Sequence, residues 1–90
     1  MKVKDGFLLR EIAGEHIVVP IGERVVDLNG LLTLNATARV LWEELATEQT
    51  EDDLVEALTE RFEVSPEVAR ADVSDFVSLL ADKGLLDAGA

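Results

Sequence analysis

The pattern of apolar and polar positions changes near residue 35, from short runs typical of strands to the 3.6-residue period typical of helices. In the first part, residues 7–12 and 16–19 form two apolar-rich runs on either side of Ala13-Gly14-Glu15. This arrangement predicts a β-hairpin. Pro20 cannot donate a backbone hydrogen bond to a neighbouring strand, so the second strand is predicted to end there, to bulge, or to turn the proline nitrogen away from its neighbour.

Asn29-Gly30 is a stronger turn signal and lies between the apolar runs 25–28 and 31–34. The Asn-Gly pair accepts the positive φ angles of a type I′ turn, which connects antiparallel strands. We therefore predict that the N-terminal third of the chain forms a small antiparallel sheet. The residues of its last strand are Leu31, Leu32, Thr33 and Leu34.

The rest of the chain predicts three helices, and each begins with a residue that can cap it. The side chains of Asn35, Thr50 and Ser65 can accept hydrogen bonds from backbone N–H groups of the first turn. Pro66 follows Ser65 and suits the first position of the third helix.

Gly84 is predicted to end the third helix, because a helix often stops at a glycine with positive φ. Residues 85–86 remain as a short apolar tail. The sequence thus predicts a single domain over residues 1–90 in the α+β class. Its architecture would be a small three-stranded antiparallel sheet followed by a three-helix bundle.

The predicted third helix has a wide apolar face. At helical spacing, its apolar residues cover about half of the circumference, whereas a surface helix needs roughly 100°. One flank can therefore line a groove, although a helix buried between two neighbours would show the same pattern. The central stripe consists of Ala69, Val73, Phe76 and Leu80, with Val68 and Leu79 on one side and Val77 on the other.

The last predicted strand, residues 31–34, carries no charge and no proline. Charged residues and prolines usually protect the edge of a sheet from further pairing, and this strand has neither. If the strand lies at an edge, it is a template for an added peptide strand. The alternative is that it lies inside the sheet, which the order of elements does not decide.

The composition offers little material for catalysis. The 90 residues include no cysteine, which excludes disulfides and cysteine-ligated metals, and His16 is the only histidine. Trp42 lies at helical spacing from other apolar residues and is predicted to anchor the core. The sequence predicts no catalytic residue, no metal site and no cofactor.

The net charge of −11 is unevenly distributed. Residues 48–90 hold twelve acidic and three basic residues, whereas residues 1–47 hold seven and five. An acidic C-terminal half repels phosphate backbones, so nucleic acid is not expected as a partner. The chain shows neither a signal-peptide pattern nor an apolar run of about 20 residues, which predicts a cytoplasmic protein without a membrane partner.

Four segments of the sequence resemble the PqqD-like family, named after protein D of coenzyme PQQ biosynthesis. The resemblance extends from about residue 6 to residue 86, and the order and spacing of the segments are more specific than any one of them. The segments are LNATARVLWEEL (34–45), TEDDL (50–54), ADVSDFV (71–77) and LADKGLL (80–86).

The resemblance implies a winged-helix-like fold and a non-catalytic chaperone for ribosomally made precursor peptides. The leader of the precursor would join the third strand and be presented to a modifying enzyme, often a radical-SAM protein. One wall of the site would be the third helix. By position, the implied site consists of Leu31, Leu32, Thr33, Leu34, Ala69, Val73, Phe76, Val77 and Leu80.

Two departures from the PQQ pathway's own members favour a different peptide. The Cys-Asp-Gly-like turn that those members tend to have after the first helix is replaced by Ala46-Thr47-Glu48-Gln49, and a hairpin is predicted around residues 18–23. Other functions remain open. The chain can be a structural or dimerisation subunit, including a homodimer, and a winged-helix DNA-binding protein is the third alternative.

Overall fold

The computed structural model describes residues 1–21 and 32–87. It confirms the α+β class, with a three-stranded antiparallel sheet followed by three helices. The predicted Asn29-Gly30 turn, the run 25–28 and Leu31 lie outside the described residues. The strands are β1 (Lys2–Val3), β2 (Phe7–Ile12), β3 (Glu15–Pro20), β4 (Leu32–Leu34) and β5 (Leu86–Asp87), and the helices are α1 (Ala36–Glu44), α2 (Glu51–Arg61) and α3 (Pro66–Asp82).

The hairpin of β2 and β3 forms where the sequence predicts it. Ala13 and Gly14 connect the strands with φ angles of 53° and 83°. Two successive positive φ angles are those of a type I′ turn, whose twist matches that of the flanking strands. Ile12 pairs with Glu15 at the turn and Phe7 with Pro20 at the far end, so β3 ends at its proline, which is the first of the three predicted alternatives.

The second strand of the hairpin is the centre of the sheet. Residues of β4 pair antiparallel with β3, with Leu32 opposite Val18 and Leu34 opposite His16. The strand order is β2-β3-β4. Among the described strands, β4 therefore lies at an edge and β3 is its only partner.

The three helices begin at the predicted caps. The side chain of Asn35 accepts the backbone N–H of Ala38 at 2.8 Å. Thr50 accepts from Asp53 at 3.1 Å while the Asp53 carboxylate accepts the N–H of Thr50 at 2.9 Å, which is a complete capping box. The Ser65 hydroxyl accepts the N–H of Val68 at 3.2 Å and so caps α3. Each cap satisfies N–H groups that have no partner inside the helix.

The end of α3 is a Schellman motif. Gly84 has a φ of 71°, and the N–H of Leu85 donates to the carbonyl of Leu80 at 2.9 Å. The residues after it do not form a free tail. Leu85 is fully buried, and β5 pairs with β1 in a second, two-stranded sheet. Strands of two residues carry no periodicity, so the sequence pattern did not show this pairing.

One core lies between the inner face of the sheet and the helices. Val18 and the two leucines of β4 point into it, and Trp42 is 6% exposed within it, as predicted. Among the described helices, none is long and apolar enough to cross a membrane. The core residues of the helices and of the segment after α3 are Val40, Leu41, Trp42, Leu45, Leu54, Val55, Leu58, Ala69, Val73, Phe76, Leu80 and Leu85.

Candidate functional site

The backbone N–H and C=O groups of the edge strand β4 lie in the plane of the sheet, and its side chains alternate between the two faces of the sheet. Leu32 and Leu34 are buried in the core, at 7% and 5% exposure, whereas Thr33 between them is exposed. This alternation is the two-residue period of a strand that is covered on one face. No charged side chain and no proline lies within β4 to prevent another strand from pairing with it.

A groove lies beside this edge, between β4 and the start of α1 on one side and α3 on the other. Its volume is about 320 Å³. That value is at the low end of the roughly 300–1,000 Å³ of small-molecule sites, so the groove suits one or two side chains. It is lined by Thr33, Leu34, Asn35, Thr37, Ala38, Leu41, Asp72, Asp75, Phe76 and Leu79.

The wall formed by α3 is half apolar and half acidic. Asp72, Asp75, Phe76 and Leu79 follow spacings of three and four residues, which place them on one face of the helix. Phe76 is mostly buried, whereas Leu79 is 39% exposed. The residues that line the groove include no lysine and no arginine. The groove therefore combines an apolar surface with uncompensated negative charge.

The structure separates the predicted site residues into two groups. Thr33, Leu34 and Phe76 line the groove together, and Leu32 lies in the same edge strand with its side chain in the core. The remaining predicted residues of α3 lie away from the groove. Ala69, Val73 and Leu80 are at most 1% exposed, and Val77 is half-buried against the core.

The reason for this separation is the width of the apolar face of α3. Most of its central stripe packs on the core, and the apolar residues that reach the groove are Phe76 from that stripe and Leu79 from one flank. The sequence shows that flank as an extension of the apolar arc. It also contains Asp72 and Asp75, but a chain with 19 acidic residues gives no reason to select these two. The lining from α1 follows only from the tertiary packing.

The other sequence candidates have structural surroundings that explain them. His16 is half-buried in β3, opposite Leu34 on one side and Glu11 on the other. Within residues 1–21 and 32–87, no three or more histidine, aspartate or glutamate side chains form a group that could hold a metal ion. The groove beside β4 is thus the surface that is lined by residues of both the predicted strand and the predicted third helix.

Comparison with known proteins gives one family and two similar structures. The family of coenzyme PQQ synthesis protein D (PqqD) matches residues 15–86. No curated protein matches the sequence significantly. The structure described as TbiB1 in complex with the TbiA(beta) leader peptide has a TM-score of 0.76 and 23% sequence identity, covering 100% of this chain and 99% of its own.

A second solved structure is similar over most of the chain. The lasso peptide synthetase B1 complexed with its leader peptide has a TM-score of 0.71 and 19% identity, with 93% of each chain covered. At these identities, the two structures show that the fold is shared along nearly the whole chain.

Proposed function

The chain belongs to the PqqD family, and on this premise we propose that it binds the leader segment of a ribosomally made precursor peptide and presents it to a modifying enzyme. The guest would add a strand to β4 on the side that faces away from β3, where no described strand pairs, and insert side chains into the groove beside α3. In this proposal the chain is a single non-catalytic recognition domain in the cytoplasm.

The observation that carries the proposal is the position of the edge next to the groove. An edge strand alone can pair with any extended chain, because backbone groups carry no sequence information. An apolar groove alone can accept any apolar side chain. Since Thr33 and Leu34 belong to both, a peptide paired with β4 is held where alternate side chains face Phe76 and Leu79.

The two components would contribute differently to binding. Each backbone hydrogen bond of the added strand stabilises the complex by about 0.5–1.5 kcal/mol net, because the same groups bind water in the free state. Burying one large apolar side chain contributes about 1.5–3 kcal/mol. The ladder with β4 therefore fixes the direction and register of the guest, and the groove provides a comparable share of the affinity together with the choice of side chains.

Two further facts support this function. Both similar structures were solved with a leader peptide bound, and this chain shares their fold over at least 93% of its length. In our proposal, the chemistry on the precursor is carried out by a separate enzyme. A radical-SAM protein is the class that the family resemblance implies.

Amide chemical shifts test the site directly. We expect a synthetic leader peptide of a candidate precursor, titrated into the ¹⁵N-labelled chain, to shift the signals of β4 and of α3 around Phe76 and Leu79. Signals of α2, which lies away from the groove, should stay in place and serve as the control. Shifts confined to α2 or to β2 would contradict strand addition at β4.

A further inference from the structure

The acidic half of the groove wall has no partner within the described part of the chain. Neither Asp72 nor Asp75 makes an ion pair or hydrogen bond with a described residue. Other carboxylates on the helices do: Asp52 lies 2.9 Å from Arg70, Glu44 lies 2.9 Å from Arg61, and Glu43 lies 3.4 Å from Arg39. The two groove carboxylates are left open beside the surface that we propose for the guest.

This arrangement is unfavourable for the free protein. Asp72 and Asp75 are three residues apart on one helix, and like charges at this spacing repel each other. A cation brought by the guest would relieve this repulsion, because the charges would then be paired.

The spacing along the helix matches that of an extended peptide. Asp72 precedes Phe76, and Asp75 precedes Leu79, by four residues, which is about 6 Å along the helix axis. Side chains on one face of a strand are two residues apart, or about 6.6 Å. A guest strand that runs parallel to the axis of α3 would thus place one inward side chain at the apolar half and the next at the acidic half.

We propose that the preferred guest carries a lysine or arginine two positions from its apolar anchor, and that Asp72 and Asp75 bind this cation. The inference rests on the proposed function and specifies its substrate class. The net charge of −11 acts in the same direction, since it attracts basic peptides during the encounter.

A selection experiment tests the preference without knowledge of the natural guest. A random library of peptides displayed on phage is panned against the full chain, against the double variant Asp72→Asn/Asp75→Asn, and against Glu67→Gln/Asp82→Asn. The last variant also removes two negative charges from α3, but at positions that do not line the groove. We expect the wild type and this control to select lysine or arginine two positions from an apolar residue.

The groove variant should retain the apolar anchor but lose the basic preference. A synthetic peptide from the wild-type selection is expected to bind about three- to fivefold more weakly to Asp72→Asn/Asp75→Asn at low salt, as partly exposed ion pairs allow. The difference should shrink near 1 M salt, where the screening length is only about 3 Å. Thermal unfolding should show that the groove variant is at least as stable as the wild type, because a repulsion is removed.

The outcomes distinguish this inference from the proposed function. If the selected peptides shift the amides of β4 but show no basic preference, or bind both double variants equally, the role of the carboxylates is refuted and strand addition stands. If no selected peptide shifts the amides of β4, both proposals fail.

Discussion

Two consecutive leucines of α3 have different surroundings and therefore different expected roles. Leu79 is 39% exposed and lines the groove, whereas Leu80 is fully buried in the core. The side chains are chemically identical and 100° apart around the helix. One is available to a guest, and the other stabilises the fold.

We expect alanine substitutions to separate these roles. Leu80→Ala should lower the free energy of unfolding by about 2–5 kcal/mol, because it leaves a cavity in the core. Leu79→Ala should change it by less than about 1 kcal/mol, as at other surface sites, and weaken guest binding by about tenfold, or about 1.4 kcal/mol. Urea denaturation and the fluorescence anisotropy of a labelled guest peptide measure the two effects.

Val68→Ala is the matched control for Leu79→Ala. Val68 is 51% exposed on the same helix and does not line the groove, so its truncation should leave both stability and binding nearly unchanged. Wild-type affinity in Leu79→Ala would show that the guest does not use this part of the groove.

At the scale of the element, β4 combines a packing role and a pairing role in three residues. Its leucines hold the sheet on the core, and the side of β4 that faces away from β3 pairs with no other strand among the described residues. Because consecutive N–H groups of a strand point to opposite sides in the plane of the sheet, Leu32 and Thr33 direct theirs differently. The N–H group of one of the two residues points toward β3, and that of the other points away from β3.

Proline substitutions at these two positions should therefore have opposite effects. Proline removes the N–H group. Of Leu32→Pro and Thr33→Pro, the variant that loses the outward N–H is expected to remain folded and to bind the guest more weakly. The other should weaken the pairing with β3 and lower the melting temperature. Circular dichroism and peptide titration give the two readings.

Thr33→Val is the control for this pair, since it retains the N–H group and the β-branched side chain. It should fold and bind like the wild type. One proline variant can unfold while the other stays folded. If the folded variant binds the guest with unchanged affinity, hydrogen bonding of the guest to β4 is ruled out.

The elements also differ in how well the sequence predicts them. The hairpin turn and the three helix caps were predicted correctly because each depends on residues within about four positions of one another. The pairing of β1 with β5 was missed, since it joins two dipeptides from opposite ends of the described chain. Its stability comes from tertiary contacts such as the burial of Leu85.

At the scale of the whole molecule, charge limits the choice of partners. The net charge is −11, and α3 carries four carboxylates. Its one basic residue, Arg70, already pairs with Asp52 at 2.9 Å. A winged-helix protein that reads DNA needs a basic helix to neutralise phosphates, and this helix has the opposite sign.

We therefore expect no retardation of duplex DNA in a gel-shift assay, even near 50 mM salt, where phosphate contacts bind most strongly. A basic winged-helix protein of similar size, run in parallel, shows that the assay detects binding. Salt-dependent retardation by this chain would support the DNA-binding alternative.

The sequence by itself determined the class of fold, the starts of the three helices, the end of the third, the first hairpin and the acidic charge, because these depend on local residue preferences and on composition. It also predicted the last strand and the third helix as the elements of a binding site, which stays a prediction. Only the tertiary structure decided which side chains of α3 reach the groove. Leu79, Asp72 and Asp75 line it, whereas Ala69, Val73 and Leu80 are core residues. The physical reason is that a helix with a wide apolar face can turn about its own axis and still bury part of that face. Only the packing of α3 against its neighbours fixes which part is buried.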